Sequence, residues 1–133
     1  MISLKRIDQH AIAIITDSDG IGILLQALNN ASRGIVSYIE VSVCRDVFNP
    51  GKAASKETMN VAIGLGSTEL KKDHGNLVWN FDHEDLETAI FQLTQASIKG
   101  YFSPSEFTYV NVNARKQPDY AFWYFPEEFN QRN

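Results

Sequence analysis

The chain has 133 residues, 44% of them hydrophobic, 11% aromatic and 21% charged, with 12 lysines and arginines against 16 aspartates and glutamates. That length suits one domain able to bury roughly two thirds of the surface its unfolded chain exposes, and the apolar fraction excludes a disordered or low-complexity chain. The longest nearly apolar runs, 11–15 and 120–125, fall far short of the roughly 20 residues of a membrane helix, and a net charge of −4 argues against non-specific nucleic-acid binding.

Residues 11–16 form a β-branched run with the character of a buried strand. Asp17, Ser18, Asp19 and Gly20 follow as a turn and supply candidate helix caps. From there Ile21, Leu24, Leu25, Leu28 and Ala31 lie on one helical stripe, which stops at Gly34 after Arg33. At Ile35 the period changes to two. Ile39, Val41 and Val43 share one face, and Tyr38, Glu40, Ser42 and Cys44 share the other. A loop over 46–57 leads to a second alternating run, Met59, Val61, Ile63 and Leu65, and the polar segment 71–76 turns the chain into a third, Leu77, Trp79 and Phe81. These three strands are expected to form an antiparallel meander with one buried face.

The second helix has the best-defined start. Asp82 is placed to cap it, Phe81 and Leu86 suit a hydrophobic staple, and Asp85 falls at the third helical position. Glu84, Asp85 and Glu87 lie in or near the first turn, where the helix dipole favours negative charge. Leu86, Ala89, Ile90, Leu93 and Ala96 make the buried stripe, and Gly100 ends the helix after Lys99. Two more strands are expected near 107–113 and 120–125. The order reads βαβββαββ, with no internal repeat. The expected fold class is therefore α+β: a single domain, 1–133, with a mostly antiparallel sheet of five to six strands and two helices on one face.

Few residues carry a chemical signal. The segment Asp17-Ser18-Asp19-Gly20-Ile21-Gly22 invites a phosphate-cradle reading, yet it lacks the third glycine of a dinucleotide loop and the Gly-Lys-Ser/Thr of a P-loop. It also fails as a calcium loop, because Leu28 stands at the twelfth position. His83 and Glu87, four apart beside Asp82, could face a metal, but the helix dipole already accounts for the acids. Asp73-His74 falls in a turn, and His10 has no neighbour that suggests a role. The single cysteine, Cys44, cannot form an internal disulfide; beside Arg45 it could be activated, although a strand cysteine usually packs as a small hydrophobe. Lys99, Arg115 and Lys116 are too few for a nucleic-acid surface. No enzyme motif occurs, so no catalytic residue, metal or cofactor is expected. The lone cysteine and the lack of a secretory signal lead to the expectation of a cytoplasmic protein without membrane association.

Charge is unevenly placed along the chain. Residues 1–81 hold as many bases as acids, whereas residues 82–133 hold Asp82, Glu84, Asp85, Glu87, Glu106, Asp119, Glu127 and Glu128 against Lys99, Arg115, Lys116 and Arg132. That stretch also carries Tyr101, Phe102, Phe107, Tyr109 and the aromatics of 120–125. An acidic, aromatic-rich face suits docking of a basic partner. An aromatic last strand at a sheet edge would also suit a homodimer.

Two family resemblances follow from these segments. Residues 12–15, Asp17 and Gly20 in the turn, Ile21, Leu24, Leu25 and Leu28 in the helix, and Ile35, Ile39 and Val41 in the next strand resemble an ACT-type ligand-binding domain; Asp19 stands where that family usually has proline. This resemblance implies a small regulator such as an amino acid bound around Asp17, Asp19, Gly20 and Gly22. The compact acidic α+β type, the strand and helix of 77–100, and the strand entry Ser103-Pro104-Ser105-Glu106-Phe107 resemble small cytosolic immunity proteins of polymorphic toxin systems. That resemblance implies a non-catalytic inhibitor which occludes the active site of a basic toxin domain, such as a nuclease. Glu84, Asp85, Glu87, Glu106, Asp119 and Tyr120 are then the expected partner-binding residues.

Overall fold

The computed structural model of the chain describes residues 1–44, 46–48, 54–64, 66–103, 105–113 and 116–132, the side chains of 131 and 132 excepted. The elements in chain order are β1 (Ile2–Asp8), β2 (Ala11–Thr16), α1 (Ser18–Ser32), β3 (Ser37–Val43), β4 (Ser55–Ile63), β5 (Glu69–Asp73), β6 (Asn76–Phe81), α2 (His83–Lys99), β7 (Glu106–Val112), β8 (Asp119–Tyr124) and α3 (Pro126–Arg132). The two long helices lie where the apolar stripes place them. Asp17 caps α1 by accepting a hydrogen bond from the Gly20 amide at 2.8 Å. Gly100 ends α2 in the left-handed conformation, at φ 81°.

The eight strands close into a barrel in the order β1-β2-β8-β7-β5-β6-β4-β3. Pairing alternates around it: β1–β2, β3–β4, β5–β6 and β7–β8 are antiparallel, whereas β1–β3, β2–β8, β4–β6 and β5–β7 are parallel. This corrects the expected open, mostly antiparallel sheet of five to six strands with two helices on one face. Three elements fall outside the expected order. β1 places only Ile2 and Leu4 in the core before the charged Lys5 and Arg6 interrupt its alternation, and β5 buries Leu70 alone. Because β5 reverses the chain, β6 runs parallel to β4 and the expected meander does not form. The third, α3, sets Phe129 against Ala13, Ile15 and Tyr124 on the outer side of β2 and β8, which is why every residue of β2 is buried.

The pairing reveals an internal repeat, where the sequence leads to the expectation of none. β1-β2-α1-β3-β4 and β5-β6-α2-β7-β8 are two ββαββ units with the same internal pairings, joined through β4–β6 and β2–β8. Buried helix positions correspond at a constant displacement along the chain: Ile21 with Leu86, Leu24 with Ala89, Leu28 with Leu93, and Ala31 with Ala96. The N-caps Asp17 and Asp82 correspond at that same displacement, as do the whole strands β2 and β6. A bulge between Arg6 and Asp8 shifts β1 by one residue, so that Leu4 opposite Ile14 matches Leu70 opposite Trp79. Shape has been kept where residue identity has not.

One core holds the units together. The buried faces of α1 and α2 join the inward residues of both units' strands in a single cluster, around Trp79, Phe81, Phe107 and Trp123. Trp79 stacks on Phe81 with ring centroids 4.6 Å apart, and Phe107 lies 4.9 Å from Trp123. Leu28 and Leu93 are both fully buried at equivalent places in this cluster. Leu28→Ala and Leu93→Ala should therefore each lower the unfolding free energy by about 2–5 kcal/mol in urea denaturation. A loss below about 1 kcal/mol at either site would contradict a shared core.

Candidate functional site

The acids of the second half divide sharply by environment. Asp119 at the start of β8 is fully buried, and its carboxylate receives the Arg6 guanidinium at 2.8 and 3.4 Å. Arg6 also donates to the carbonyls of Asp46 and Val47, each at 3.0 Å. The pair thus fastens β1, β8 and the segment 46–47 together, and Asp119 is not a surface residue for a partner. Asp85 is committed too: it accepts from the hydroxyls of Thr68 and, at 2.8 Å, Thr108, which ties the first turn of α2 to β7 and to the residue before β5. Thr68 in turn accepts from the Asp82 amide at 3.1 Å. Asp82 stands at the N-cap position, but its side chain makes no capping hydrogen bond.

Glu84, Glu87, Glu106 and Tyr120 are exposed, but α2 carries the first two on its outer side, whereas Glu106 and Tyr120 lie on the face of β7–β8 turned away from α2. Glu84 and Glu87 project from the outer side of α2 in line with Phe91 and Ile98, which are 64% and 74% exposed. Glu87, Thr88, Phe91, Gln92, Gln95 and Ser103 line a shallow depression of about 300 Å³. Gln92 links this face to β7 by donating to the Glu106 carbonyl at 3.2 Å, while its own carbonyl accepts the Trp123 indole N–H at 2.8 Å. Beyond Glu106, Tyr109 and Tyr120 stand opposite each other on β7 and β8, their hydroxyls 2.9 Å apart and their rings 4.6 Å apart. The hydrogen bond to Tyr109 raises the Tyr120 pKa above its usual 10.0, with smaller contributions from the Tyr109 charge, burial and Glu106. Among the described residues neither Glu84 nor Glu106 has an ion-pair partner, and Glu87 meets only the exposed His83, at 3.2 Å.

Phe91 and Ile98 were missed by reasoning from the acids alone. Their signal was present in the sequence, because both fall off the stripe of Leu86, Ala89, Leu93 and Ala96 and so had to face outward. Most of the other aromatics, Trp79, Phe81, Phe102, Phe107 and Trp123 among them, simply pack in the core.

The segment 17–22 is divided in the same way. The Asp17 carboxylate receives the Met1 ammonium at 2.9 Å as well as the Gly20 amide. Gly20 packs so tightly that a Cβ would sit 2.1 Å from the Thr16 hydroxyl and 2.5 Å from the Met1 carbonyl, so its lack of a side chain serves packing. Asp19 and Gly22 face outward instead, onto a groove of about 750 Å³ between α1 and β3. Cys44 is half-buried against the core, and its neighbour Arg45 lies outside the described residues, as does Arg115. His74 is exposed in the β5–β6 turn, and the His10 amide donates to the Asp8 carboxylate at 2.8 Å. Among the described residues no group of three or more His, Cys, Asp or Glu side chains is placed to hold a metal ion. Among the described residues no helix is long and apolar enough to cross a membrane. A scan against family models, a search of curated proteins and a search of solved structures each return no match.

Two stability predictions follow from these contacts. Asp119→Ala leaves the Arg6 charge uncompensated and should cost about 3–5 kcal/mol in denaturant unfolding, whereas Glu106→Gln should change stability by less than about 0.5 kcal/mol. For Asp17, the Met1 ammonium first and the Gly20 amide second hold the carboxyl below its ordinary 3.8. Its contribution is therefore complete above that value and is lost as pH falls through the lower folded value. Asp17→Asn should flatten the stability curve between about pH 5 and about pH 2. An acid limb unchanged from wild type would show that the carboxylate contributes nothing.

Proposed function

We propose that the protein works by binding, with the outer face of α2 as its docking surface for a basic polypeptide. The observation that carries this reading is the alignment of Phe91 and Ile98, two strongly exposed apolar side chains, with Glu84 and Glu87 on one face of α2. Aromatic and aliphatic anchors supply affinity once water is excluded, and flanking carboxylates steer a cationic partner and fix its register. Glu106, Tyr109 and Tyr120 lie on the other face of β7–β8, away from α2, and are left out of this surface. The partner class that fits best is a basic toxin domain whose active site this face occludes, as in an immunity protein. Occlusion asks no chemistry of the inhibitor, only a rigid surface, and a closed barrel with α2 packed on its core provides one.

Asp85 and Asp119 are left out of this surface because both hold the fold. The variant Glu84→Lys/Glu87→Lys/Phe91→Ala should retain native circular dichroism, and it should lose a basic polypeptide that the wild-type chain captures from its native host by about tenfold or more. Undiminished capture would remove α2 from the docking surface. The second reading, a small regulator at 17–22, is favoured only by the position of Asp19 and Gly22 on the α1–β3 groove. Thermal-shift titration with free amino acids and nucleotides separates the two, since a small-molecule site gives a rise in Tm that grows with ligand concentration and a protein-docking face gives none.

A further inference from the structure

The two repeats differ in how they treat the gap between helix and third strand. In each unit the parallel join beside that strand is short: β1–β3 pairs only Ser3 with Ser42 and Leu4 with Val43, and β5–β7 pairs only Glu69 with Asn111 and Leu70 with Val112. The first halves of β3 and β7 therefore diverge from the strand beside them. In the second unit α2 fills the gap with polar side chains, Gln92 bonding the Glu106 carbonyl and Asp85 bonding Thr108. At the helix displacement established above, the first unit has Ala27 in place of Gln92 and Gly20 in place of Asp85. Neither can reach the strand; α1 meets β3 instead through Asn30, whose amide donates to the Ser37 hydroxyl at 3.0 Å, and beyond that contact the groove stays open.

We propose that this groove, along Ser37–Val41 of β3 and beside α1, receives an extended basic segment of a partner polypeptide, which adds to β3 as a further strand. The backbone argues for an extended chain. The Cys44 amide points to the β1 side and bonds the Leu4 carbonyl at 2.9 Å, so by strand alternation the backbone groups of Tyr38 and Glu40 point to that side as well. Among the described residues no strand lies there beside Ser37–Val41. A row of outward amides and carbonyls is matched best by another backbone. The groove is also long enough for one: the cavity of about 750 Å³ between α1 and β3 shares Ile23, Tyr38 and Ile39 with a second of about 540 Å³ that runs on past Glu40 to Met1 and Lys56. Tyr38, 69% exposed, and Ile23 offer apolar contacts to alternate side chains of the added strand. Charge selects a basic segment. Among the described residues Asp19 and Glu40 line the groove without ion-pair partners, while of the cations that line it Lys56 stands opposed to them and the Met1 ammonium is already paired with Asp17.

Gly22 gives a test that spares the fold. A Cβ at this helical position meets nothing within 4 Å, so Gly22→Trp can project into the groove while removing a helix-interior glycine. The probe is an end-blocked octapeptide of alternating lysine and valine, with a copy N-methylated at alternate amides as control. The wild-type chain should bind the probe saturably in fluorescence anisotropy, with slowed hydrogen exchange at the Tyr38 and Glu40 amides. N-methylation, Gly22→Trp and the pair Asp19→Lys/Glu40→Lys should each weaken binding by about tenfold or more. The proposal is overturned by no saturable binding at millimolar probe, by binding that survives Gly22→Trp, or by protection that maps to α2. A concentration-dependent dimer in sedimentation, abolished by Gly22→Trp, would also overturn it by assigning the groove to a second copy of the chain.

Discussion

Hydrogen-bonding groups leave a β-strand on both sides, and a group buried without a partner costs about 1–3 kcal/mol. An open sheet must therefore cover or expose two edges, whereas a closed one has none. This chain meets the constraint over most of its strands by linking two ββαββ units edge to edge, and departs from it where the first halves of β3 and β7 part from β1 and β5. The joins between units, β2–β8 and β4–β6, each run over five residue pairs, and the joins within units, β1–β3 and β5–β7, over two. The long joins carry closure. Within each unit the helix crosses from second strand to third, and the strands part where it packs.

Departures from the two-fold pattern show where each unit has a separate task. The bulge in β1 lies beside Arg6, whose guanidinium reaches Asp119 and the carbonyls of Asp46 and Val47. β5 has no bulge at the corresponding place, and its Lys72 pairs instead with Glu57 across the barrel surface. α3 covers β2 and β8 on one side only, and Lys5 lies over the Phe129 ring at 4.9 Å. The acidic excess of the second half divides along the same lines. Asp85 and Asp119 hold elements together, while Glu84, Glu87 and Glu106 remain on the surface.

The helices were legible in the sequence because their signal is local. The stripes of α1 and α2, the Asp17 cap and the Gly100 stop depend only on residues within a turn or two. Strand pairing is not local, and the alternation of Met59, Val61 and Ile63 says which face is buried without saying which strand lies alongside. β1 and β5 were hidden for a further reason: each commits few apolar side chains to the core and owes its conformation to neighbours on both sides. The repeat was invisible because the two units share burial and register but not residue identity: Leu24 corresponds to Ala89 and Ile14 to Trp79. For the candidate site, composition pointed to the second half of the chain without separating its acids. It could not tell Asp119, sealed under Arg6, from Glu106, which is free.

The β2–β8 join has a consequence for synthesis on the ribosome. Residues 11–15 pair with β1 on one edge and with residues 120–124 on the other, so the most apolar strand of the chain emerges early and waits for nearly the whole polypeptide before its second edge is paired. A nascent chain in that condition presents β2 as a sticky, hydrogen-bond-hungry template to its neighbours on a polysome. High-level expression therefore carries an aggregation risk that lies in the order of translation, and that the finished barrel, once closed, no longer shows.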